Sequence, residues 1–446
     1  MCLSTCLDIS MSMLLHLRNM LVIFIGLLHL VLKKISNIDL RFRPEIFVPT
    51  NHADRIKEGI FLKNIIGNAY SGDLVHEQPL FLLAFEILQE YGLDSIAITV
   101  SHFACGILLS WVGREIAIDI VKGLKRNKVS ESSLSLMPHA EDYVNSMGDW
   151  ILKAYFCNPL VLLTYISEST SIFNNICLAA SLYGTVKGSM VLSSIFLALA
   201  AYRDLYAIPM LIPSTVYIIS KKNCLKTQRK WPSMYTYVFL NLTIFITTLG
   251  FFLFYSFKIT GTWKFLDATY GFVLKVTDLR PNIGLFWYFF IEVFGDFSNF
   301  FLYVFQVNTI FYIVPLTMRF HKHPPLLIYA VMSLLAIYKA YPSIADIGIY
   351  ISLSPLWIYT FNHTWHSLQL LFMFVVSCIL GPIFWSLWIY SGTANANFFY
   401  AMTLFFNASQ IFLLTNIVLG KIKCDFFSEN GLDLTIDEKK VSLCLE

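Results

Sequence analysis

The chain has 446 residues, of which 57% are hydrophobic and only 14% charged, and its formal net charge is +3. Soluble domains carry about 25% charged residues, so the apolar surplus, at a mean hydropathy of +0.63, has to face lipid. The composition predicts an all-α polytopic membrane protein, and with no basic cluster interleaved with exposed aromatics it excludes a nucleic-acid partner.

Spans of roughly 20 residues account for most of the chain, about twelve in all. The first is Ser12–Leu32, which lacks a basic leader and a small-residue cleavage site and reads as a retained span. A polar loop, Lys33–Glu77, leads to the apolar stretch Pro79–Leu88, which is too short to cross and carries Glu86, so it reads as an interfacial helix. Further spans are expected near 93–113, 150–166, 171–187, 188–203, 205–220, 233–257, 297–317, 325–341, 344–360, 367–389 and 397–418, with polar loops at 114–149 and 221–230. The chain thus divides into an N-terminal tail and first span (1–35), a first luminal loop with its interfacial helix (36–92), spans two to seven (93–257), a luminal aromatic loop (258–296), spans eight to twelve (297–419) and a cytoplasmic tail (420–446).

Lys/Arg placement sets the orientation. The loops 114–149 and 221–230 carry five basic residues each, the tail carries four, and Arg319 and Lys322 add two on the same side. That side is expected to be cytoplasmic, with both termini there. The segment Lys33–Lys63, with seven basic residues, opposes this assignment, but long loops weigh little under the rule.

Few ionisable residues lie in or beside spans: Arg18, Lys153, Arg203, Asp204, Lys339 and Asp346. Charges at depth are costly and tend to be paired or functional. Arg203 and Asp204 are expected to pair locally at a span end, and Lys339 and Asp346 to pair across the Tyr341-Pro342-Ser343 turn. The nine cysteines show no C-x-x-C pair and no ligand spacing, and most sit in apolar runs as small hydrophobes.

Three segments are candidates for binding or chemistry. In the first loop, Asp73, His76 and Glu77 form either an acid/base cluster or a solvated loop end in which Glu77 favours the positive end of the next helix. A second ligand pair for a metal is missing there, and no cofactor is expected. The second segment is the row of five aromatics Phe286–Phe290, introduced by Pro281-Asn282 and Gly284 and closed by Glu292. Trp and Tyr favour the membrane–water boundary, so Phe286, Trp287 and Tyr288 read as a shelf for a lipid with a polar head. The third runs from Trp388 to Tyr400, where Ser391, Thr393, Asn395 and Asn397 form a polar cup inside a rim of Trp388, Tyr390, Phe398, Phe399 and Tyr400. Asn amides offer donors and acceptors to sugar hydroxyls or phosphate; the plain alternative is a helix cap with an aromatic belt, Asn397 being a reasonable N-cap.

The layout resembles that of multi-span, lipid-linked (GT-C class) glycosyltransferases, whose first luminal loop ends in a short apolar helix. Those enzymes place a D-x-D or related acidic pair early in that loop. Here the segment reads Arg43-Pro-Glu-Ile-Phe-Val-Pro-Thr-Asn-His-Ala-Asp-Arg55, and no D-x-D, E-x-D or D-x-E occurs in the chain. Two segments are more specific. Pro281-Asn-Ile-Gly-Leu-Phe-Trp-Tyr-Phe-Phe with Glu292, and Leu387-Trp-Ile-Tyr-Ser-Gly-Thr-Ala-Asn-Ala-Asn-Phe-Phe-Tyr400, resemble the signature stretches of the PIG-U family, multi-span subunits of the GPI transamidase. Looser likeness extends over Tyr70-Ser-Gly, His76-Glu77, Pro79-Leu80, Ser193–Ala200 and Tyr341-Pro342.

The resemblance implies a GT-C-like fold in the endoplasmic reticulum membrane and a non-catalytic role. The subunit would bind the GPI lipid, while the reacting Cys and His belong to a caspase-like luminal protease subunit. The family's binding role carries over to Asn395 and Asn397 and to the aromatic loop, with Asn282, Ser391, Tyr400, His76 and Glu77 as further candidates. The competing readings are an active GT-C mannosyltransferase of the GPI pathway using dolichol-phosphate mannose, and a transporter.

Overall fold

The computed structural model describes residues 26, 28–35, 40, 43–126, 140–224, 234–364, 367–430, 435–436 and 439–440. The first expected span and Arg18 lie mostly outside these residues. What is described is almost wholly helical, apart from a two-residue antiparallel pair, Thr435–Ile436 with Lys439–Lys440.

The first half holds α1 (Ala53–Ile66), α2 (Pro79–Glu90), α3 (Asp94–Arg126), α4 (Ala140–Phe156), α5 (Pro159–Ile166), α6 (Ser171–Lys187), α7 (Met190–Arg203), α8 (Leu211–Cys224) and α9 (Met234–Thr260). The second half holds α10 (Phe272–Lys275), α11 (Phe286–Glu292), α12 (Gly295–Phe320), α13 (Pro324–Tyr338), α14 (Ile344–Ser352), α15 (Ser367–Ile389) and α16 (Ala396–Asn430). Tight 3-10 turns at Leu205–Met210 and Ser354–His363 join their neighbours.

Among the described residues, five helices are long and apolar enough to cross a membrane: α3, α9, α12, α15 and α16. A sixth is reached if α14 and the following turn, bent by 57°, count as one broken span. The shorter apolar helices α7 and α13 do not reach that length individually. At 15 residues, α13 is about 22 Å long, against a hydrocarbon core of about 30 Å, yet it is apolar and buried on all sides from Leu326 to Ile337. It is the central rod against which α12, α8, α14 and α16 pack.

Several expected boundaries move. The polar segment 114–149 is not a plain loop: α3 continues to Arg126 and α4 begins at Ala140. Two of its charges are helical residues with partners: Glu115 meets Lys187 at 2.7 Å, and Asp119 meets Lys221 at 3.0 Å and the Tyr217 hydroxyl at 2.6 Å. The expected span 150–166 is broken in two. Pro159 lacks the N–H that would continue a helix, and Asn158 caps α5 by accepting from Leu160 N at 3.0 Å. The expected tail from 420 begins as the last turns of α16, where Asp425 pairs with Lys421 and lies 3.3 Å from His323. The expected short apolar helix appears at Pro79–Glu90, its Glu86 paired with Lys63.

Helices α6 and α7 meet most closely at Gly184. A Cβ there would stand 2.5 Å from Ser193 N and 2.9 Å from Leu192 C, backbone atoms that cannot swing aside. Gly184→Ala is therefore expected to lower the unfolding free energy by about 1–3 kcal/mol, read as thermal unfolding in detergent. Gly123→Ala, whose added carbon meets nothing within 4 Å, should leave it equal or higher.

Candidate functional site

The sequence candidates separate into two places. The first is an aromatic shelf where α11, the end of α15 and the start of α16 converge. Asn282 is 2% exposed and spends both ends of its amide locally: Oδ1 accepts from Gly284 N at 2.7 Å and Nδ2 donates to Arg280 O at 3.3 Å. Gly284 lies where a Cβ would meet Pro342 at 2.7 Å, and Asn407 of α16 donates to Ile283 O at 2.8 Å. The turn is thus clamped from two sides before α11 begins.

Neighbours on a helix are about 100° apart, so α11 shares its rings between two environments. Phe286 and Trp287 are each 1% exposed, whereas Tyr288, Phe289 and Phe290 are half-buried and Glu292 is exposed at the last position. Trp287 packs near Trp388, Phe399 and Tyr400, with centroids 5.6–6.4 Å away. The Tyr288 and Tyr400 rings stack at 4.5 Å, the Tyr288 hydroxyl donates to Asn397 Oδ1, and the Tyr400 hydroxyl donates to Leu285 O at 3.2 Å. Asn395, not Asn397, caps α16: its Oδ1 accepts from Asn397 N at 3.1 Å and from Phe398 N at 3.4 Å. Ser391, Thr393, Asn395 and Asn397 are all exposed along the rim. Behind the shelf, Phe399 also lines an apolar cavity of ≈ 230 Å³ with Leu40, Leu160, Leu163, Met402 and Phe406.

The second place is a polar chamber near the N-terminal end of α2. The expected local pair Arg203–Asp204 does not form, because the backbone turns out of α7 at Asp204 and sends the two side chains to different partners. Arg203 donates to both carboxylate oxygens of Glu77, at 3.0 and 3.2 Å, and to Thr170 O at 2.9 Å, and its guanidinium lies 3.8 Å over the Phe81 ring. Asp204 meets Lys339 at 2.5 Å, and Lys339 reaches Asp346 at 2.9 Å, the pairing across the turn that the sequence suggests. Asp346 in turn accepts from Ser343 N at 2.9 Å and closes the capping box of α14.

The expected acid/base cluster is not assembled. Glu77 is consumed by Arg203 and Thr170, Asp73 is exposed, and Gln78 rather than Glu77 precedes α2. Burial pushes the Glu77 carboxyl up, opposed by Arg203 and its hydrogen bonds. His76 stacks on Phe272 at 3.4 Å and its Nδ1 faces Ala268 O at 2.9 Å. A carbonyl only accepts, so Nδ1 carries the proton. Burial holds the imidazole below its ordinary value, which leaves Nε2 as a lone-pair acceptor at neutral pH.

The sequence profile described as "GPI transamidase subunit PIG-U" matches residues 20–406. The human protein named "GPI-anchor transamidase component PIGU" is 33% identical over 415 residues, covering 88% of this chain and 90% of that protein. The Saccharomyces cerevisiae protein named "GPI transamidase component GAB1" is 27% identical over 391 residues, covering 87% and 89%. The chain belongs to the PIG-U family of GPI transamidase subunits.

Within this PIG-U chain, both aromatic signature stretches meet in the shelf, although 109 positions separate Tyr288 from Asn397. His76 and Glu77 belong to the chamber instead. Sequence reading missed the Glu77–Arg203 bridge; its signal was two lone charges beside apolar helices, each needing a partner.

Removing one partner of a buried pair leaves an uncompensated charge. Arg203→Met is expected to cost about 3–5 kcal/mol, and the double change Glu77→Gln with Arg203→Met less than the sum of the singles, as a thermal double-mutant cycle would read. His76 adds a pH dependence. The folded state binds fewer protons there than the unfolded state, so its stabilisation is full above about pH 6.5 and is lost as pH falls through the lower folded value. The unfolding midpoint should fall on acidification toward about pH 5, and less steeply in His76→Asn.

Proposed function

We propose that this PIG-U-family chain is a non-catalytic subunit that binds the GPI lipid and presents it for attachment to protein C-termini. It works in the endoplasmic reticulum membrane beside a caspase-like luminal subunit that carries the reacting Cys and His. Both termini are cytoplasmic and the shelf faces the lumen. The short helices complete a GT-C-like set of about twelve spans.

The observation that carries this reading is the Tyr288–Asn397 hydrogen bond, which ties the two aromatic stretches into one platform with an exposed polar rim. The amphipathic rings suit the interface, the rim amides suit sugar hydroxyls and phosphate, and the apolar cavity that shares Phe399 suits an acyl chain. The role of Glu77 as the partner of Arg203 rather than as a free carboxylate supports a binding subunit over a transferase.

The test is capture of GPI by the affinity-purified complex. Asn397→Ala should retain about tenfold less GPI, the loss of one hydrogen bond to a ligand, with the complex still assembled. Asn395→Ala should in addition lower stability by about 1 kcal/mol, because it removes the cap of α16. Normal GPI capture by the double Ala variant would refute the reading.

A further inference from the structure

The helical segment 28–35 precedes the first loop, and two of its side chains, one turn apart on one face, fasten it to the rest of the molecule. Lys33 donates to Ser95 Oγ at 2.8 Å and pairs with Glu168 at 2.9 Å. His29 is buried among α3, α4 and α5, where it stacks on the buried His102 and packs against Phe156 and Tyr165. Its Nδ1 lies 3.1 Å from His102 Nε2 and its Nε2 lies 2.8 Å from Phe156 O, while His102 Nδ1 lies 3.3 Å from the Tyr155 hydroxyl. Neither imidazole takes part in the shelf or the polar chamber.

The order of donors along this chain is fixed from one end. Phe156 O only accepts, so His29 Nε2 carries a proton. The neutral ring then accepts at Nδ1 from His102 Nε2–H, and His102 Nδ1 accepts from the Tyr155 hydroxyl. Both rings have each nitrogen in use, one as donor and one as acceptor. A further proton on His29 Nδ1 would set two donors against each other at 3.1 Å. On His102 Nδ1 it would turn the Tyr155 hydroxyl away. Among the described residues, the titratable and charged groups around the pair are Lys33 on the same helix as His29, Cys105 on α3, Tyr155 on α4, Tyr165 on α5 and Glu168 just after it. The one carboxylate in this set already faces Lys33, so an imidazolium here would be a buried charge without a counter-charge. The chain that leaves this helix supplies Leu40, Arg43, Glu45 and Ile46 to the wall of the apolar cavity behind the shelf, so the histidine pair is also the upstream anchor of that wall.

We propose that His29 and His102 form an acid-releasable clasp: neutral, they hold the first helix against α3, α4 and α5, and when either ring takes up a proton the helix detaches, while Lys33 keeps it tethered to Ser95 and Glu168. Release binds protons that the closed clasp has no place for, so acidification drives it. The clasp does not rest on the reading of the shelf as a lipid site.

The experiment measures the distance between spin labels on Leu30→Cys and Trp111→Cys, both exposed positions, by double electron–electron resonance. It uses the full chain in phosphatidylcholine nanodiscs, with the reactive native cysteines replaced by Ser and Cys105 kept. One narrow distance is expected at about pH 7.5, and a second, longer one in about half or more of the molecules at about pH 5, below the ordinary histidine range, reversing on return to the higher pH. A Gln amide has one donor end and one acceptor end, as a neutral imidazole does. The double variant His29→Gln with His102→Gln therefore rebuilds the chain without a titrating group and should give the narrow distance at both pH values. His29→Phe keeps the ring packing but not the bonds, and should show the longer distance to the same extent at both. A reference pair on Tyr303→Cys of α12 and Phe372→Cys of α15, both exposed, should not move with pH. An unchanged Leu30–Trp111 distance at about pH 5, the full acid response in the double Gln variant, or an equal acid response of the reference pair would overturn the proposal.

Discussion

Two adjacent charges with partners on opposite sides organise the molecule. Arg203 ends α7 and reaches back to Glu77 in the first loop; Asp204 reaches forward to Lys339 between α13 and α14. Each charge is costly to bury alone, so the first loop, α7 and the α13–α14 turn have to arrive together. The neighbouring Tyr202 hydroxyl accepts from Leu80 N at 3.0 Å and holds the first turn of α2 in the same knot. The short helix α2 is placed by polar bonds at its start as much as by its apolar face against α9.

The shelf hangs from that knot. Tyr341, two residues after Lys339, exchanges hydrogen bonds with the backbone of Asp278 at 3.0 and 3.2 Å, and Pro342 fills the space that Gly284 leaves open. Residues 339–346 thus belong to the chamber on one side and support the aromatic turn on the other. Phe272, stacked on both His76 and Tyr341, at 3.4 and 5.1 Å, makes the same connection through rings. A disturbance of the ion pairs has a short packed route to the position of α11.

The outer helices explain the composition. Their apolar windows are buried by the chain itself to only 17% in α9, 11% in α12 and 6% in α15, whereas α13 is enclosed on all sides. Such surfaces are stable only against lipid or another subunit, which accords with membership of a family of complex components. The polar knot and shelf are therefore held within a frame whose exterior is adapted to an apolar solvent.

The sequence by itself determined the membrane class, because 14% charge leaves too little polar surface for water. It also determined the short apolar helix after Pro79, the turn at Tyr341–Ser343 with its Lys339–Asp346 pair, and the two aromatic segments, all of which are local patterns of apolarity, turn residues and sequence proximity. It misplaced the break at Asn158-Pro159 by weighing apolar length over the Asn-Pro stop, and it read the charged turns of α3 and α4 as loop, the partners of Glu115 and Asp119 lying far along the chain on α6 and α8. Only the tertiary structure decided that Arg203 leaves Asp204 for Glu77, that Asn395 rather than Asn397 caps α16, and that His76 and Glu77 stand in the chamber and not on the shelf. Apart from the local Asn395 cap, those outcomes depend on which donor meets which acceptor across gaps of 126 residues for Arg203 with Glu77 and 192 for His76 with Ala268. Hydrogen-bond and ion-pair energies fall off within a few ångströms, so they are settled by packing geometry that sequence spacing does not carry.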